Sequence, residues 1–221
     1  MQRLDGPRIA PAGGGPARQL VVLLHGLGAD GADLAGLAPA WAEHLPDAAF
    51  IAPDAPFPCD MAPYGRQWFS LQDRSPERML AGMRVVAPLL EAFLQEELAA
   101  LDLSPAALAL MGFSQGAMTA LHVGLRGAVP PAAILAYSGA LLAPDTLAAE
   151  LRSRPPVLIV HGEADEVVPV WASRFAESAL HEAGVPNEAI FVPGLGHGIE
   201  ETGLAAGARL LRRVFGAGPA T

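Results

Sequence analysis

Short apolar runs recur along the chain at 20–24, 49–52, 107–111, 132–137, 157–161 and 189–192. Each is continuous rather than alternating, the pattern expected of strands covered on both faces in a parallel sheet. Between them lie stretches with helical spacing. The first, 33–44, brings Leu34, Leu37, Trp41 and Leu45 to one face, and 76–100 is the longest. Ser75 is placed to cap that helix, Pro76 suits its first turn, and Pro88 should kink it. Further helices are predicted over 115–126, 145–151, 169–183 and 200–215. The last begins with Glu200 and Glu201 and ends with Arg209, Arg212 and Arg213, signs that complement the helix dipole. Strand–helix alternation of this kind predicts an α/β fold with a mostly parallel central sheet and helices on both faces. Residues 1–19, polar and rich in Gly and Pro, are expected to be irregular or to add an edge strand. Segment 53–74 fits neither period and is a candidate wall or lid over a site. At 221 residues the chain is expected to form one domain, 1–221.

Composition narrows the function classes. Apolar residues make up 52% and charged residues 17%, which excludes a disordered or fibrous chain. The net charge of −9 provides no footprint for nucleic acid or anionic lipid. All 14 basic residues are Arg, and the absence of Lys excludes Schiff-base chemistry and the Walker-type phosphate loop. Cys59, the only cysteine, cannot form an intramolecular disulfide or a thiolate metal cluster, so a reducing cytoplasm is expected. No apolar run is long enough for stable membrane insertion. Neither H-E-x-x-H nor a full G-x-G-x-x-G motif is present, so no metal and no cofactor are expected.

The chemistry gathers at the ends of the predicted strands. Gly112-Phe113-Ser114-Gln115-Gly116 matches G-x-S-x-G between a strand and a helix, the setting of a nucleophile elbow. A plain strand-to-helix turn with Ser114 as N-cap is the alternative. A serine hydroxyl needs a base, itself oriented by a carboxylate. Of six histidines, His197 lies in the glycine-flanked loop before the last helix, whereas His25 and His161 end buried strands. Asp165 follows the 157–161 strand and is the chosen carboxylate; Glu163 and Glu166 read as solvated loop charges. Ser114, Asp165 and His197 then run in the Ser…Asp…His order of α/β-hydrolases. The loop after the first strand, His25-Gly26-Leu27-Gly28, can supply an N–H opposite that of Gln115 for an oxyanion, with His25 holding the loop together.

These motifs resemble the phospholipase/carboxylesterase family of small α/β-hydrolases, which includes bacterial carboxylesterases and acyl-protein thioesterases. The resemblance rests on His25-Gly26-Leu27-Gly28-Ala29-Asp30, Gly112–Gly116, Asp165-Glu166-Val167-Val168-Pro169, Gly196-His197-Gly198 and Arg66-Gln67-Trp68-Phe69, and spans about 20–215. It implies the α/β-hydrolase fold without a large cap domain, with Ser114, Asp165 and His197 as triad. It also implies the Leu27 and Gln115 N–H groups as oxyanion hole, and Trp68 in the acyl pocket. Ser70 stands where the family often has Asp, and Gly28-Ala29-Asp30-Gly31 differs from the Gly-Asp-Thr-Gly of the thioesterase branch, so the chain looks closer to the bacterial esterases. The expected activity is hydrolysis of short-to-medium acyl carboxylic esters. A thioesterase or lysophospholipase is the second reading, and a non-catalytic binding protein of the same fold a remote third. The expected partner is a small-molecule ester, and a homodimer is compatible with the sequence. Trp41 and Trp171 are expected to pack rather than touch substrate.

Overall fold

The structure is a computed structural model that describes residues 3–216; residues 1–2 and 217–221, the ends of the expected domain, lie outside the described residues. Six apolar runs form parallel strands: β2 (Gln19–Leu24), β3 (Ala48–Ile51), β6 (Leu108–Phe113), β7 (Ala133–Tyr137), β8 (Val157–Gly162) and β9 (Asn187–Val192). The N-terminal segment adds an edge strand, β1 (Arg8–Ile9), antiparallel to β3. The sheet order is β1-β3-β2-β6-β7-β8-β9. β9 is only partly covered, because it forms the other edge.

Alternate residues of each strand enter two cores, as a pleated sheet requires. Leu20, Val22 and Leu24 of β2 pack with α3 (Pro76–Ala100), α4 (Gln115–Arg126) and α6 (Trp171–Glu182). Val21 and Leu23 point to the opposite face, toward α1 (Gly31–Ala35), α2 (Ala38–Ala42) and α7 (Glu201–Phe215). Two polar tips fasten α7 to that face: Tyr137 Oη donates to Gly203 O at 3.0 Å, and Trp41 Nε1 donates to Leu204 O at 2.9 Å. At the start of α7, Glu200 accepts the N–H groups of Thr202 and Gly203, so the expected dipole-complementing acid is also the N-cap.

Several local expectations change. The 33–44 stretch divides into α1 and α2, and 145–151 becomes a 3₁₀ turn over 144–146 followed by the short α5 (Leu147–Glu150). α3 runs unbroken through Pro88, and Ser75 makes no side-chain cap bond. Segment 53–74 carries a two-stranded ribbon, β4 (Phe57–Pro58) with β5 (Arg66–Gln67), too short to leave a period in the sequence. No cap domain stands over the carboxyl edge of the sheet among the described residues, and none of their helices is long and apolar enough to cross a membrane.

His122, within α4, is buried, and burial followed by the nearby Arg126 charge pushes its pKa down to about 4. Burial also lowers His25 and His161. The unfolded chain therefore takes up protons that the folded chain refuses. Stability is unaffected above about pH 6.5 and is lost as pH falls toward 4, with His122 alone contributing a loss of about 3 kcal/mol. Urea unfolding at several pH values in chloride buffer should show this slope, and His122→Gln should flatten it. An unchanged slope in the variant would exclude His122 as its source.

Candidate active site

The strand-to-helix turn at Ser114 combines a strained backbone with close packing. Ser114 sits at φ 55°, ψ −117°, a conformation costly for a residue with a Cβ, at the junction of β6 and α4. Its N–H donates to Tyr137 O at 2.8 Å, and its carbonyl accepts from Ala117 and Met118, which ties the turn to β7 and to α4. Gly116 is required here for contact: a Cβ on it would lie 1.8 Å from Leu24 O. The helix thereby lies against the end of β2, and Ser114 is lifted to the carboxyl edge.

Asp165 and His197 meet at the ends of β8 and β9. His197 Nδ1 donates to Asp165 Oδ2 at 2.7 Å, while Asp165 Oδ1 accepts the N–H groups of Val167 and Val168 at 2.8 and 2.9 Å. Burial pushes the Asp165 carboxyl up, but the bonds from His197, Val168 and Val167 outweigh it and hold the group below the usual carboxylate range. The Phe113 ring packs against His197 at 4.8 Å between centroids. A further contact at this carboxylate comes from His161, the histidine of β8: its Nε2 lies 3.1 Å from Asp165 Oδ2 and 2.8 Å from Val168 O, and its Nδ1 lies 2.7 Å from Ser173 Oγ. Burial lowers the His161 pKa, and its Nε2 is hydrogen-bonded to Val168 O, so the ring stands against the carboxylate as a close neighbour. From the sequence His161 is only the end of a strand; its position four residues before Asp165 was the available signal.

The loop after β2 is held from below. His25 donates from Nδ1 to Gly26 O at 2.7 Å and accepts Ala55 N–H on Nε2 at 3.0 Å, the structural role expected for it. Trp68 Nε1 donates to His25 O, and Gln115 clamps the same segment, its Oε1 accepting Trp68 N–H and its Nε2 donating to Phe69 O. Gly28 N–H donates to Arg66 O. Leu27 N–H is left without a protein acceptor among the described residues, and Gln115 starts α4, where the first N–H groups lack intrahelical partners. Both N–H groups belong to segments flanking Ser114.

Ser114, His197, Gly26 and Leu27 line one cavity of about 450 Å³. Its apolar wall is formed by Leu71, Met79 and Met118, from segment 53–74, α3 and α4. Arg74 and Asp33 stand at its polar side. The arrangement brings together a hydroxyl, an imidazole with its carboxylate, and unpartnered N–H groups, which is the set that acyl transfer requires.

The phospholipase/carboxylesterase family model matches residues 5–214. The chain belongs to the phospholipase/carboxylesterase family. It is accordingly a carboxylic ester hydrolase of the α/β-hydrolase fold. The crystal structure of esterase PE8 superimposes with a TM-score of 0.91 at 43% identity, covering 96% of this chain and 99% of that one. Esterase YpfH of Escherichia coli is 27% identical over 84% of this chain and 78% of its own length. Acyl-protein thioesterase 1 of Neurospora crassa is 29% identical over 80% and 79%.

Two tryptophan assignments are corrected. Trp68 does not line the cavity of this esterase: it is fully buried beneath the loop after β2, where its indole N–H is taken by His25 O. Its contribution is support of that loop, and the apolar wall of the cavity comes from Leu71, Met79 and Met118. Trp171, expected to pack, is 67% exposed and lines the cavity mouth, because α6 begins there at the carboxyl edge of the sheet. Segment 53–74 otherwise divides between core and surface: Phe69 is buried, Met61 and Tyr64 are exposed, and Leu71 forms wall. Glu163 and Glu166 are exposed, as expected of solvated charges, with Glu163 paired to Arg174 at 2.7 Å.

Proposed function

We propose that the protein hydrolyses short-to-medium acyl carboxylic esters through an acyl-enzyme on Ser114, with His197 as base and Asp165 as its orienting carboxylate. The observation that carries this reading is the His197 Nδ1–Asp165 bond beside a cavity that His197 shares with Ser114. With the proton on Nδ1, the Nε2 lone pair is available to take the Ser114 hydroxyl proton as the oxygen attacks the ester carbonyl. Leu27 and Gln115 N–H groups meet the oxygen on which charge develops. The imidazolium then protonates the departing alcohol, and water repeats the sequence to release the acid. Asp165, held below the usual carboxylate range, is ionised and accepts the Nδ1–H. The free, half-buried Cys59 suits a cytoplasmic setting.

A panel of p-nitrophenyl esters from acetate to palmitate tests the substrate class. The apolar wall binds acyl methylenes, each contributing about 0.8 kcal/mol when fully buried, so kcat/KM should rise from acetyl to the four-to-six-carbon range. It should fall once the acyl chain outgrows the cavity. Leu71→Trp and Met118→Trp should shorten the preferred chain. Trp68→Ala should instead lower activity at every chain length and destabilise the fold by about 3–5 kcal/mol, since a buried indole is lost. A steady climb to palmitate would replace this reading with a lipid-directed one. The resemblance to acyl-protein thioesterase 1 adds a matched acyl thioester to the panel; a higher kcat/KM for it than for the oxoester of equal length would make the protein a thioesterase.

A further inference from the structure

A second cavity, of about 400 Å³, lies at the far end of α4, roughly 18 Å along the helix from Ser114. It is lined by Arg84 of α3, His122 and Arg126 of α4, Glu150 of α5, and Arg152 just beyond. Three guanidiniums thus face one carboxylate. Glu150 accepts Arg126 Nε at 2.9 Å and stands 3.5 Å from Arg84 Nη2, while Arg126 Nη2 donates to the Leu142 and Ala143 carbonyls. Arg152 has no ion pair among the described residues. The carboxyl end of α4 adds only about half a negative charge, which leaves a clear positive excess in a chain of net charge −9.

The decisive feature is at the base of this cavity. Arg126 and His122 are each more than nine-tenths buried, and Arg126 Nη1 and His122 Nδ1 have no hydrogen-bond partner among the described residues. Buried polar atoms, those of a guanidinium above all, are rarely left unmade, and an orphan of this kind points to a group that the protein receives from outside. A cation is repelled by the guanidiniums. Guanidinium forks match the oxygen geometry of phosphate and present several donors to it at once.

We infer that this cavity is a binding site for a small phosphate dianion, either inorganic phosphate or the phosphate group of a monoester. Arg84 and Arg152, both exposed, close over the anion from the rim, and Arg126 anchors it from below. His122 supplies a neutral contact. It faces Arg126, Arg84 and Glu150, and the arginine charges help burial to hold it deprotonated. A bound dianion reverses that field, so His122 reports occupancy. The site is separate from the ester chemistry and does not depend on the triad assignment.

The test titrates inorganic phosphate against the full chain at constant ionic strength maintained with chloride, following the His122 ring signals by NMR and the heat by calorimetry. Saturable binding is expected, with the His122 midpoint moving upward. The double variant Arg84→Gln/Arg152→Gln, which spares the buried Arg126, should bind at least about tenfold more weakly, the loss expected for charged hydrogen-bond donors. Its p-nitrophenyl ester hydrolysis should match the wild type. Phenyl phosphate and vesicles containing phosphatidic acid separate the sources: binding of the soluble anions without vesicle capture assigns a small metabolite, and binding of the soluble anions together with vesicle capture, both weakened in the double variant, assigns a lipid headgroup. No saturable response up to roughly 0.1 M phosphate, where exposed pairs are already screened, would overturn the inference, as would equal binding by the double variant.

Discussion

Replacement of Ser114 by Ala is expected to lower kcat by about 10⁴-fold or more with no loss of folded protein. The hydroxyl is the nucleophile in the proposed mechanism, and nothing else lining the cavity can replace it: Cys59, the only thiol, is not among the lining residues. The fold should survive because the Ser114 side chain makes no hydrogen bond that supports the elbow among the described residues; the turn is held by the backbone bonds to Tyr137, Ala117 and Met118. The strain at φ 55° is the same for Ala, so the thermal midpoint should stay close to that of the wild type. A fluorophosphonate should label the wild type stoichiometrically and leave the variant unmodified. Turnover within tenfold of the wild type, in a preparation free of other esterases, would remove Ser114 from the mechanism.

Asp165→Asn is expected to reduce kcat by about 10³- to 10⁴-fold near neutral pH, in the range reported for disabled triads. The reason lies in which oxygen does what. Oδ1 holds Val167 and Val168 N–H groups, so an Asn retains that side and must present its NH₂ toward His197 and His161. His161 Nε2, hydrogen-bonded to Val168 O, lies 3.1 Å from that position and offers it no acceptor. The amide is left facing a donor, and His197 is driven to the tautomer with its proton on Nε2, toward Ser114, where it cannot act as base. Glu163→Gln serves as the contrast, since Glu163 is exposed and pairs with Arg174; its kcat should be unchanged. Loss of activity in Glu163→Gln with retention in Asp165→Asn would reverse the choice of carboxylate.

How much of this site could be read in advance depends on how local each feature is. Ser114 and its glycines form one contiguous motif, because the elbow requires a small residue wherever Gly116 meets Leu24 O. Asp165 and His197 could be nominated because each follows a continuous apolar run that reads as a strand, and parallel strands bring their carboxyl ends to one edge. Trp68 could not be placed. Whether an indole in a 22-residue irregular segment (53–74) faces a cavity or lies under a loop depends on His25 and Gln115, which are 43 and 47 residues away in the chain. The same limit applies to Trp171, whose helical spacing suggested burial but whose position at the first residue of α6 leaves it at the mouth.

The sequence by itself determined the strands and most of the helices, the parallel character of the sheet and the three polar residues brought to its edge, because burial period and glycine-rich turns are written over a few consecutive residues. The tertiary structure alone decided what surrounds them. The apolar wall of the cavity takes Leu71, Met79 and Met118 from three separate elements, His161 comes within 3.1 Å of Asp165, and the second cavity draws Arg84, Arg126 and Arg152 from segments spread over nearly seventy residues. Such convergence is set by sheet order and by how helices lie across the strands, and no local pattern of hydrophobic and polar positions records it.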